Sequence, residues 1–450
     1  MKREHWGSRL GFILSVAGSA IGLANIWRLP YLVGKGGGAV FLFLYLICLL
    51  LIGFPVLISE ILIGRNTEEA PGMAFEKIGK SKWWGMGGRM TILTGFMVST
   101  FYSAVAGWIM GYWIEAITGH LQFTTFSEAS DHYNHLVSNP FWCIGFHFAF
   151  QLICVGVLFY GVRQGIERWN KILMPMLFAI LIILVIKGLS QPGAEKGLEF
   201  LFKPDWSKLT PAMGLMALGQ SFFTLSLGQG TMVTYGSYLN RKESLIKTGI
   251  PVVIMDTVVA LLAAVAVFTI VFSGGAEPAS GPGLIFNTLP VAWSQMPGGT
   301  VLASAFFFLV FIAAVTSEIS AMEPTIAYLM DEKKFKRKNA VLLCGSLVFL
   351  VGIPSALSYS IFNGNLIGDM NFLESMDFIC SSILIPFGGF LAVVLVGWKW
   401  GLKKALPEIR VGSESVFDRY SFIPGYFWVC LKYTAPILII FVFLNSIGVI

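Results

Sequence analysis

The chain has 450 residues, of which 56% are hydrophobic and only 12% are charged. Its mean hydropathy of +0.74 excludes a soluble globular domain, because so few polar side chains could not cover a surface that faces water. The net charge of +6 is modest and is spread over many loops, so it does not indicate a nucleic acid partner.

Eleven apolar runs follow one another along the chain. Each is long enough to cross a bilayer, which takes roughly 20 residues. We number them spans 1–11, and they cover residues 10–33, 39–64, 88–118, 140–161, 167–188, 212–238, 247–273, 300–330, 339–357, 373–399 and 423–448. Lys2 and Arg3 precede the first run as in a signal peptide, but the run continues through Asn25 and Arg28, which favours a retained first span. The segments between the spans are interpreted as loops.

The basic residues indicate an orientation. Most of the 31 Lys and Arg residues fall in segments on one side if the N-terminus is cytoplasmic. The loops at 119–139, 274–299 and 358–372, on the other side, contain none, and only the loop between spans 5 and 6 breaks the pattern. We therefore predict a protein integral to the cell membrane with a cytoplasmic N-terminus and, after eleven spans, an extracellular C-terminus.

Two spans contain residues that disfavour a continuous helix facing lipid. Span 1 includes Asn25 and Arg28 within GSAIGLANIWRLP, and span 6 includes Gly228 and Gly230 within FTLSLGQG. Small residues alone would fit a close-packed helix, but an amide and a guanidinium at membrane depth favour a substrate or ion path. Since the two spans are five apart, we predict two inverted five-span repeats with a site between them near the midplane.

The chain is therefore expected to be a single all-α transmembrane domain, 1–450. Its first inverted repeat would be 1–190, its second 191–410, and an additional C-terminal span would follow in 411–450.

Several acidic residues lie at or within apolar spans and need partners. Glu60 in span 2 is expected to hydrogen-bond freed backbone in a neighbouring broken helix, and Asp256 in span 7 is expected to have a cation or a strong donor beside it. Asp377 at the start of span 10 is placed to meet Arg28. The six cysteines show no CxxC spacing and are expected to be packing residues.

Several separated motifs together resemble the neurotransmitter:sodium symporters, which share the fold of the bacterial leucine transporter. They are KREHW at the N-terminus, NIWRLPY, FTLSLGQG, the TS and EP pairs of span 8, MDF in span 10, and Gly165 and Pro175 with nine residues between them. The resemblance covers nearly the whole chain. It implies a leucine-transporter-type fold, a 5+5 inverted repeat with discontinuous spans 1 and 6. The eleventh span, with no twelfth, is similar to an eleven-span bacterial branch of amino-acid transporters in the inner membrane.

The resemblance also implies two sodium sites built from oxygen atoms. The first would use the Ala20 carbonyl, the side chains of Asn25, Thr224 and Asp256, and the carboxylate of the substrate. The second would use the carbonyls of Gly18, Ile21 and Ala313 and the hydroxyls of Thr316 and Ser317. Helix hydroxyls also commonly bond their own preceding carbonyls. Two Na⁺ ions per cycle and no organic cofactor are expected.

The family's substrate contacts and gates carry over in the same way. Substrate would contact Gly22, Leu23, Ala24, Val98, Tyr102, Phe223, Thr224, Ser226, Gln229, Ser317 and Ala321. Taken alone, Val98 is explained more simply as core. Arg28 and Asp377 resemble an outer gate, and the inner gate would consist of Arg3, Trp6, Ser237, Tyr238 and Asp331. Gly165 and Pro175 would let span 5 unwind.

Three departures from the family pattern bear on the expected substrate and on the need for chloride. Gly22 stands where monoamine transporters carry an aspartate, which leaves room for the carboxylate of an amino acid. Asp256 replaces the family's usual asparagine, and its negative charge is expected to make chloride unnecessary. This holds although Ala260 stands where some chloride-independent relatives carry an acid. Gln229 and Ala321 replace bulkier apolar residues, so the pocket should be wider and slightly more polar.

We therefore predict a sodium-coupled symporter that imports neutral hydrophobic or aromatic L-amino acids by alternating access, without chloride. Its partners would be the amino-acid substrate and the lipid bilayer. An amino-acid receptor or an ion channel on the same scaffold is the alternative. An enzyme is not expected, because no nucleophile and base stand at a recognisable spacing.

Overall fold

The computed structural model describes residues 4–274 and 283–446. In these ranges the chain consists of helices and loops, with one isolated bridge between Ile367 and Met370. Nine of the helices described are long and apolar enough to cross a membrane. They form spans 2–5 and 7–11: Ala39–Thr67, Lys82–Ile117, Pro140–Phe159, Val162–Leu189, Leu245–Ser273, Gly299–Asp331, Arg337–Ala356, Phe372–Arg410 and Ile423–Asn445.

Spans 1 and 6 are each divided into two helices, as the sequence predicts. Span 1 consists of Arg9–Ala20 and Ala24–Lys35, which are bent by 48° at the interruption. Span 6 consists of Pro211–Thr224 and Thr231–Ser237. We call the interruptions break 1 (residues 21–23) and break 6 (residues 225–230). A helix terminus leaves backbone N–H and C=O groups without helical partners, so each break supplies polar backbone inside the protein.

Several helices lie in segments that the sequence analysis treated as loops, and that interpretation was wrong. Pro71–Gly79 follows span 2, and Phe126–Val137, Ala194–Phe202 and Leu284–Ser294 connect later spans. They are too short to register as spans. Local capping fixes one of them, since Thr125 and Glu128 form a reciprocal capping box at the start of Phe126–Val137.

We call the end of the bundle where span 1 begins the N-terminal face and the other end the opposite face.

Glycines allow backbone to approach backbone where spans cross. A Cβ on Gly107 of span 3 would lie 2.7 Å from the backbone nitrogen of His147 in span 4. The same kind of contact joins Gly388 of span 10 to the carbonyl of Gly228 in break 6. Small residues are the usual means of close packing between membrane helices, because no water is expelled to drive association.

Span 5 is helical from Val162 to Leu189 in this conformation. Gly165 lies in a π-helical turn, Val162–Glu167, and Pro175 lies inside the helix that follows. The expected unwinding of span 5 is therefore not part of the conformation described.

The six cysteines are free thiols, five of them buried and Cys48 half-buried.

Candidate functional site

The two breaks meet at the centre of the bundle. The Ser226 hydroxyl in break 6 donates to the Ser19 carbonyl at the end of the first half of span 1, at 2.8 Å. Ser226 has a φ of 52°, and Gly228 and Gly230 have φ values of 72° and 76°. These left-handed conformations end the helix, and glycine adopts them without steric cost. The FTLSLGQG motif thus produces break 6 at the point where it contacts span 1.

A buried carboxylate holds break 6 in place. Glu60 of span 2 accepts a hydrogen bond from the Gly228 backbone N–H at 2.7 Å. This confirms the prediction that Glu60 pairs with freed backbone of a neighbouring broken helix. On its other side Gly228 approaches span 10 so closely that a Cβ would overlap the Ile385 carbonyl. Break 6 is therefore held between spans 2 and 10.

A small cavity of about 30 Å³ lies between the breaks. Its lining residues are Ser19, Ala20, Gly22, Leu23, Ala24, Val98, Tyr102, Phe223, Ser226, Gln229, Ser317, Ala321 and Ile385. No charged side chain is among them. The volume suits roughly two water molecules, so a ligand the size of an amino acid requires the cavity to widen.

The structure brings together the residues that the resemblance assigns to substrate. All of them line the cavity except Thr224, whose hydroxyl instead donates to the side chains of Asn25 and Asp256. Ile385 of span 10 is a lining residue that the sequence analysis missed. The Tyr102 hydroxyl accepts a hydrogen bond from the Leu23 N–H at 3.3 Å, which places the phenol at break 1.

Asp256 is surrounded by hydrogen-bond donors, which confirms the expectation of a strong donor beside it. Its Oδ1 accepts from the Asn25 amide at 2.8 Å and from the Thr224 hydroxyl at 2.9 Å, and its Oδ2 accepts from the Tyr45 hydroxyl at 3.1 Å. Thr224 also donates to Asn25 Oδ1 at 3.2 Å. All four side chains are buried. We call this group the first oxygen cluster.

A second oxygen cluster joins span 8 to the end of the first half of span 1. The Ser317 hydroxyl lies 3.3 Å from the Gly18 carbonyl oxygen, 3.2 Å from that of Ser19 and 3.5 Å from that of Ile21. The adjacent Thr316 hydroxyl donates to the Ala313 carbonyl at 3.0 Å.

Both clusters fit a small hard cation. Their carbonyl, hydroxyl, amide and carboxylate oxygens match the sites that broken helices provide for Na⁺. The first half of span 1 ends at Ala20, where the negative end of the helix dipole adds a favourable potential. In the described ranges no group of three or more His, Cys, Asp or Glu side chains could hold a metal ion.

At the opposite face, Arg28 lies between the cavity and solvent. Its guanidinium lies over the Phe223 ring, 4.5 Å from the ring centre. The nearest carboxylate oxygen of Asp377 is 4.0 Å from Arg28 Nη1, so the pair that the sequence predicts is present but loose. Asp377 also accepts from the Ser381 hydroxyl at 2.6 Å. We call Arg28, Phe223 and Asp377 the opposite closure.

At the N-terminal face, four of the five predicted gate residues are described, and Arg3 lies outside the described residues. The Trp6 indole N–H donates to the Tyr235 carbonyl at 3.1 Å, and the Trp6 backbone N–H donates to the Tyr238 carbonyl at 3.2 Å. Asp331 accepts from the Ala70 N–H at 2.9 Å, and the Ser237 hydroxyl donates to the Thr234 carbonyl. The contacts of Trp6 attach the N-terminal segment to the second half of span 6.

The sequence analysis missed a buried ion pair at this face. Arg337, at the start of span 9, binds Glu323 of span 8 with two hydrogen bonds of 2.8 and 2.9 Å. The Tyr238 hydroxyl donates to the same carboxylate at 2.7 Å. An acid in one span and an arginine at the start of the next could have signalled it, since consecutive antiparallel spans bring such residues together. We call Trp6, Tyr238, Glu323 and Arg337 the N-terminal closure.

A second missed contact ties residues 4–8, which we call the N-terminal clasp, to span 5. The Glu4 carboxylate accepts from the Val162 N–H at 2.7 Å. The Glu167 carboxylate accepts from the Gly7 N–H at 2.6 Å and from the Ser8 hydroxyl at 2.9 Å. The π-helical turn of span 5 is thus bound directly to the segment that precedes span 1.

Comparisons with known proteins cover the whole chain. A family model described as the sodium:neurotransmitter symporter family matches residues 3–139 and 144–450. The uncharacterized sodium-dependent transporter YhdH of Bacillus subtilis is 35% identical over 449 residues, covering 100% of this chain and 99% of the relative. The human sodium- and chloride-dependent creatine transporter 1 is 26% identical over 475 residues, covering 90% and 72%.

A solved structure is similar over the same length. The crystal structure of MhsT in complex with L-phenylalanine superimposes with a TM-score of 0.90 and 39% sequence identity, covering 99% of this chain and 100% of that one. The similarity therefore extends over nearly the whole chain.

Proposed function

The chain belongs to the sodium:neurotransmitter symporter family, and on this premise we propose that it is a sodium-coupled symporter of neutral hydrophobic or aromatic L-amino acids. One observation carries the proposal: an uncharged cavity lies between two helix breaks and adjoins two clusters of oxygen atoms. The family consists of sodium-dependent secondary transporters integral to the membrane, which are not enzymes.

The substrate's carboxylate is assigned to break 1. The second half of span 1 begins at Ala24, so the positive end of its dipole faces an anionic group in the break. Gly22 supports this assignment, because a Cβ there would lie 2.9 Å from the Tyr102 hydroxyl oxygen and would overlap the Ser317 hydroxyl. The side chain would extend between Val98 and Phe223. A relative with 39% identity that was crystallised with L-phenylalanine supports the substrate class.

Two sodium ions are assigned to the two oxygen clusters. The first would be bound by Ala20, Asn25, Thr224, Asp256 and the substrate carboxylate, and the second by Gly18, Ile21, Ala313, Thr316 and Ser317. A ligand shared between the first ion and the substrate would couple their binding free energies, since each completes the other's site.

The transport cycle would alternate between the two closures. In this proposal the N-terminal face is cytoplasmic, the C-terminus is extracellular and the protein lies in a bacterial inner membrane. The repeats 1–190 and 191–410 would move against each other, with 411–450 as an accessory span. Release at the N-terminal face would require Trp6 to leave span 6, and the π-helical turn at Gly165 would begin the unwinding of span 5 that Pro175 favours.

The experiment is uptake of labelled Leu, Phe, Tyr and Trp by proteoliposomes, with sodium or potassium outside and an inside-negative potential. Sodium-driven accumulation of at least one of them is expected. Saturable sodium-dependent binding without accumulation would instead indicate a receptor, and the absence of both would refute the substrate class.

The proposal includes transport that does not require chloride. Asp256 would supply beside the first sodium ion the negative charge that chloride supplies in dependent relatives. We expect uptake to continue when gluconate replaces chloride, and Asp256→Asn to introduce a chloride requirement because the amide keeps the oxygen but removes the charge. Wild-type uptake that collapses in gluconate would contradict this part alone.

A further inference from the structure

Gln229 is a polar side chain in the lining of the cavity. It lies in break 6 between Gly228 and Gly230 and is 6% exposed. Its Oε1 is buried and accepts no hydrogen bond from any described residue. A buried amide without a partner is costly, and such groups are rare in native structures. Gln229 therefore brings an amide oxygen that is unpaired among the described residues to the lining of the cavity.

The Gln229 backbone lies beside span 3 at a level distant from Tyr102 and break 1. Tyr102, Val98 and Gly95 follow one another along one face of span 3, and Tyr102 contacts Leu23. Gly95 adjoins Gln229, since a Cβ there would lie 2.7 Å from the Gln229 carbonyl oxygen. The seven residues from Tyr102 to Gly95 correspond to about 10 Å along the helix. A ligand anchored at break 1 would meet Gln229 with the tip of its side chain.

The surroundings of this amide restrict the chemistry of that tip. Its neighbours in the lining include Val98, Phe223, Ala321 and Ile385, which are apolar. A charged tip would lose its hydration, and no charged side chain lines the cavity to compensate this loss, so a charged tip is disfavoured. A wholly apolar tip would leave the amide unpaired. An apolar side chain that carries one neutral hydrogen-bonding group satisfies both requirements.

We propose that Gln229 is a specificity-determining residue that selects aromatic amino acids bearing a polar hydrogen, the phenol of Tyr or the indole N–H of Trp, over Phe and Leu. The inference rests on the proposed function and deepens it. A site that hydrogen-bonds a substrate O–H or N–H discriminates strongly against an analogue that lacks it, because the analogue leaves the buried group unpaired.

The test is competition against sodium-driven uptake of labelled Leu in proteoliposomes. Tyr is expected to compete at about tenfold lower concentration than Phe, and Trp at about tenfold lower concentration than 1-methyltryptophan, which lacks the indole hydrogen. In Gln229→Met, which keeps the length but removes the amide, both ratios are expected to fall to about one. Ile385→Val, which changes only the volume of the lining, should alter the affinities for Tyr and Phe in parallel.

Equal competition by Tyr and Phe in the wild type, or a ratio unchanged in Gln229→Met, would overturn the inference while leaving the proposed function intact. If no amino acid is accumulated or bound in sodium, the proposed function fails and the inference fails with it. Should Gln229→Met not fold, sodium-dependent thermal stabilisation of the wild type decides: a larger shift with Tyr than with Phe supports the inference, and equal shifts refute it.

Discussion

The two closures differ in how they are built. In the N-terminal closure, Glu323 is fully buried and Arg337 is 12% exposed, and two short hydrogen bonds join them. In the opposite closure, Arg28 and Asp377 are 29% and 45% exposed and approach only to 4.0 Å. The N-terminal closure is thus a desolvated polar network, whereas the opposite closure is a stacked guanidinium with a partly exposed carboxylate beside it.

Each closure contains an arginine–carboxylate pair, but the two pairs differ in the free energy that their loss would cost. Removing one member of a buried pair leaves the charge of the other uncompensated. Loss of either Glu323 or Arg337 is therefore expected to disrupt the whole N-terminal closure. An exposed pair exchanges easily with water and contributes little to stability, so the opposite closure can form and release at low cost. The N-terminal closure is therefore expected to contribute more to the stability of the described conformation than the opposite closure does.

The largest expected effect is that of Glu323→Gln. The change leaves the Arg337 guanidinium buried without its counter-charge and should lower the free energy of unfolding by about 3 kcal/mol or more. Thermal unfolding of the purified protein measures it. Asp418→Asn is the matched control, because Asp418 pairs with Arg410 on the exposed surface. A loss no larger than that of the control would remove the contrast between the two closures.

Tyr238→Phe tests whether the N-terminal closure acts as a network. It removes one hydrogen bond to Glu323 and should cost about 1 kcal/mol of unfolding free energy. In a double-mutant cycle with Glu323→Gln, the two losses should be non-additive, because both changes act on the same carboxylate. Strict additivity would show that the tyrosine and the ion pair act independently.

Asp377→Asn should change unfolding by less than about 1 kcal/mol, because the pair with Arg28 is loose and exposed. The difference from wild type should shrink further in 0.5 M choline chloride, which screens the charges without supplying sodium. A loss comparable to that of Glu323→Gln would show that the opposite closure is as tightly coupled as the N-terminal one.

The smallest expected effect is a pH dependence near the opposite face. Burial of His132 against Tyr112 and Phe123 lowers the pKa of its imidazole, although the nearby Glu115 opposes this shift. The fold therefore favours the neutral ring, and the stability present above about pH 6.5 is lost as the pH falls below that value. Between pH 7.5 and 5.5 the melting temperature of the wild type should fall more than that of His132→Gln. An equal fall in the melting temperatures of the two proteins would show that the His132 imidazole does not cause the pH dependence.

Particular residues show how far the sequence could predict this structure. Asn25, Glu60 and Asp256 were recognisable because a polar group in an apolar span must find a partner, and the breaks were recognisable from glycines around polar residues. The partner of Glu323 was harder to recognise, because Arg337 reads as one more basic residue in a loop and only its position at the start of the next span could have signalled the pair. The helices in the segments between the spans were too short for a hydropathy pattern to reveal them. Ile385, and the free end of the Gln229 amide, depend on packing between segments distant in sequence.

The N-terminal clasp has a mechanical consequence. Trp6 is bonded to span 6, while Gly7 and Ser8, the next residues along the chain, are bonded to Glu167 of span 5. Consecutive residues of an extended chain lie only about 3.5 Å apart. A displacement of residues 4–8 by a few ångströms therefore breaks the hydrogen bonds to span 5 and to span 6 together. These five residues thus couple the release of one span to that of the other.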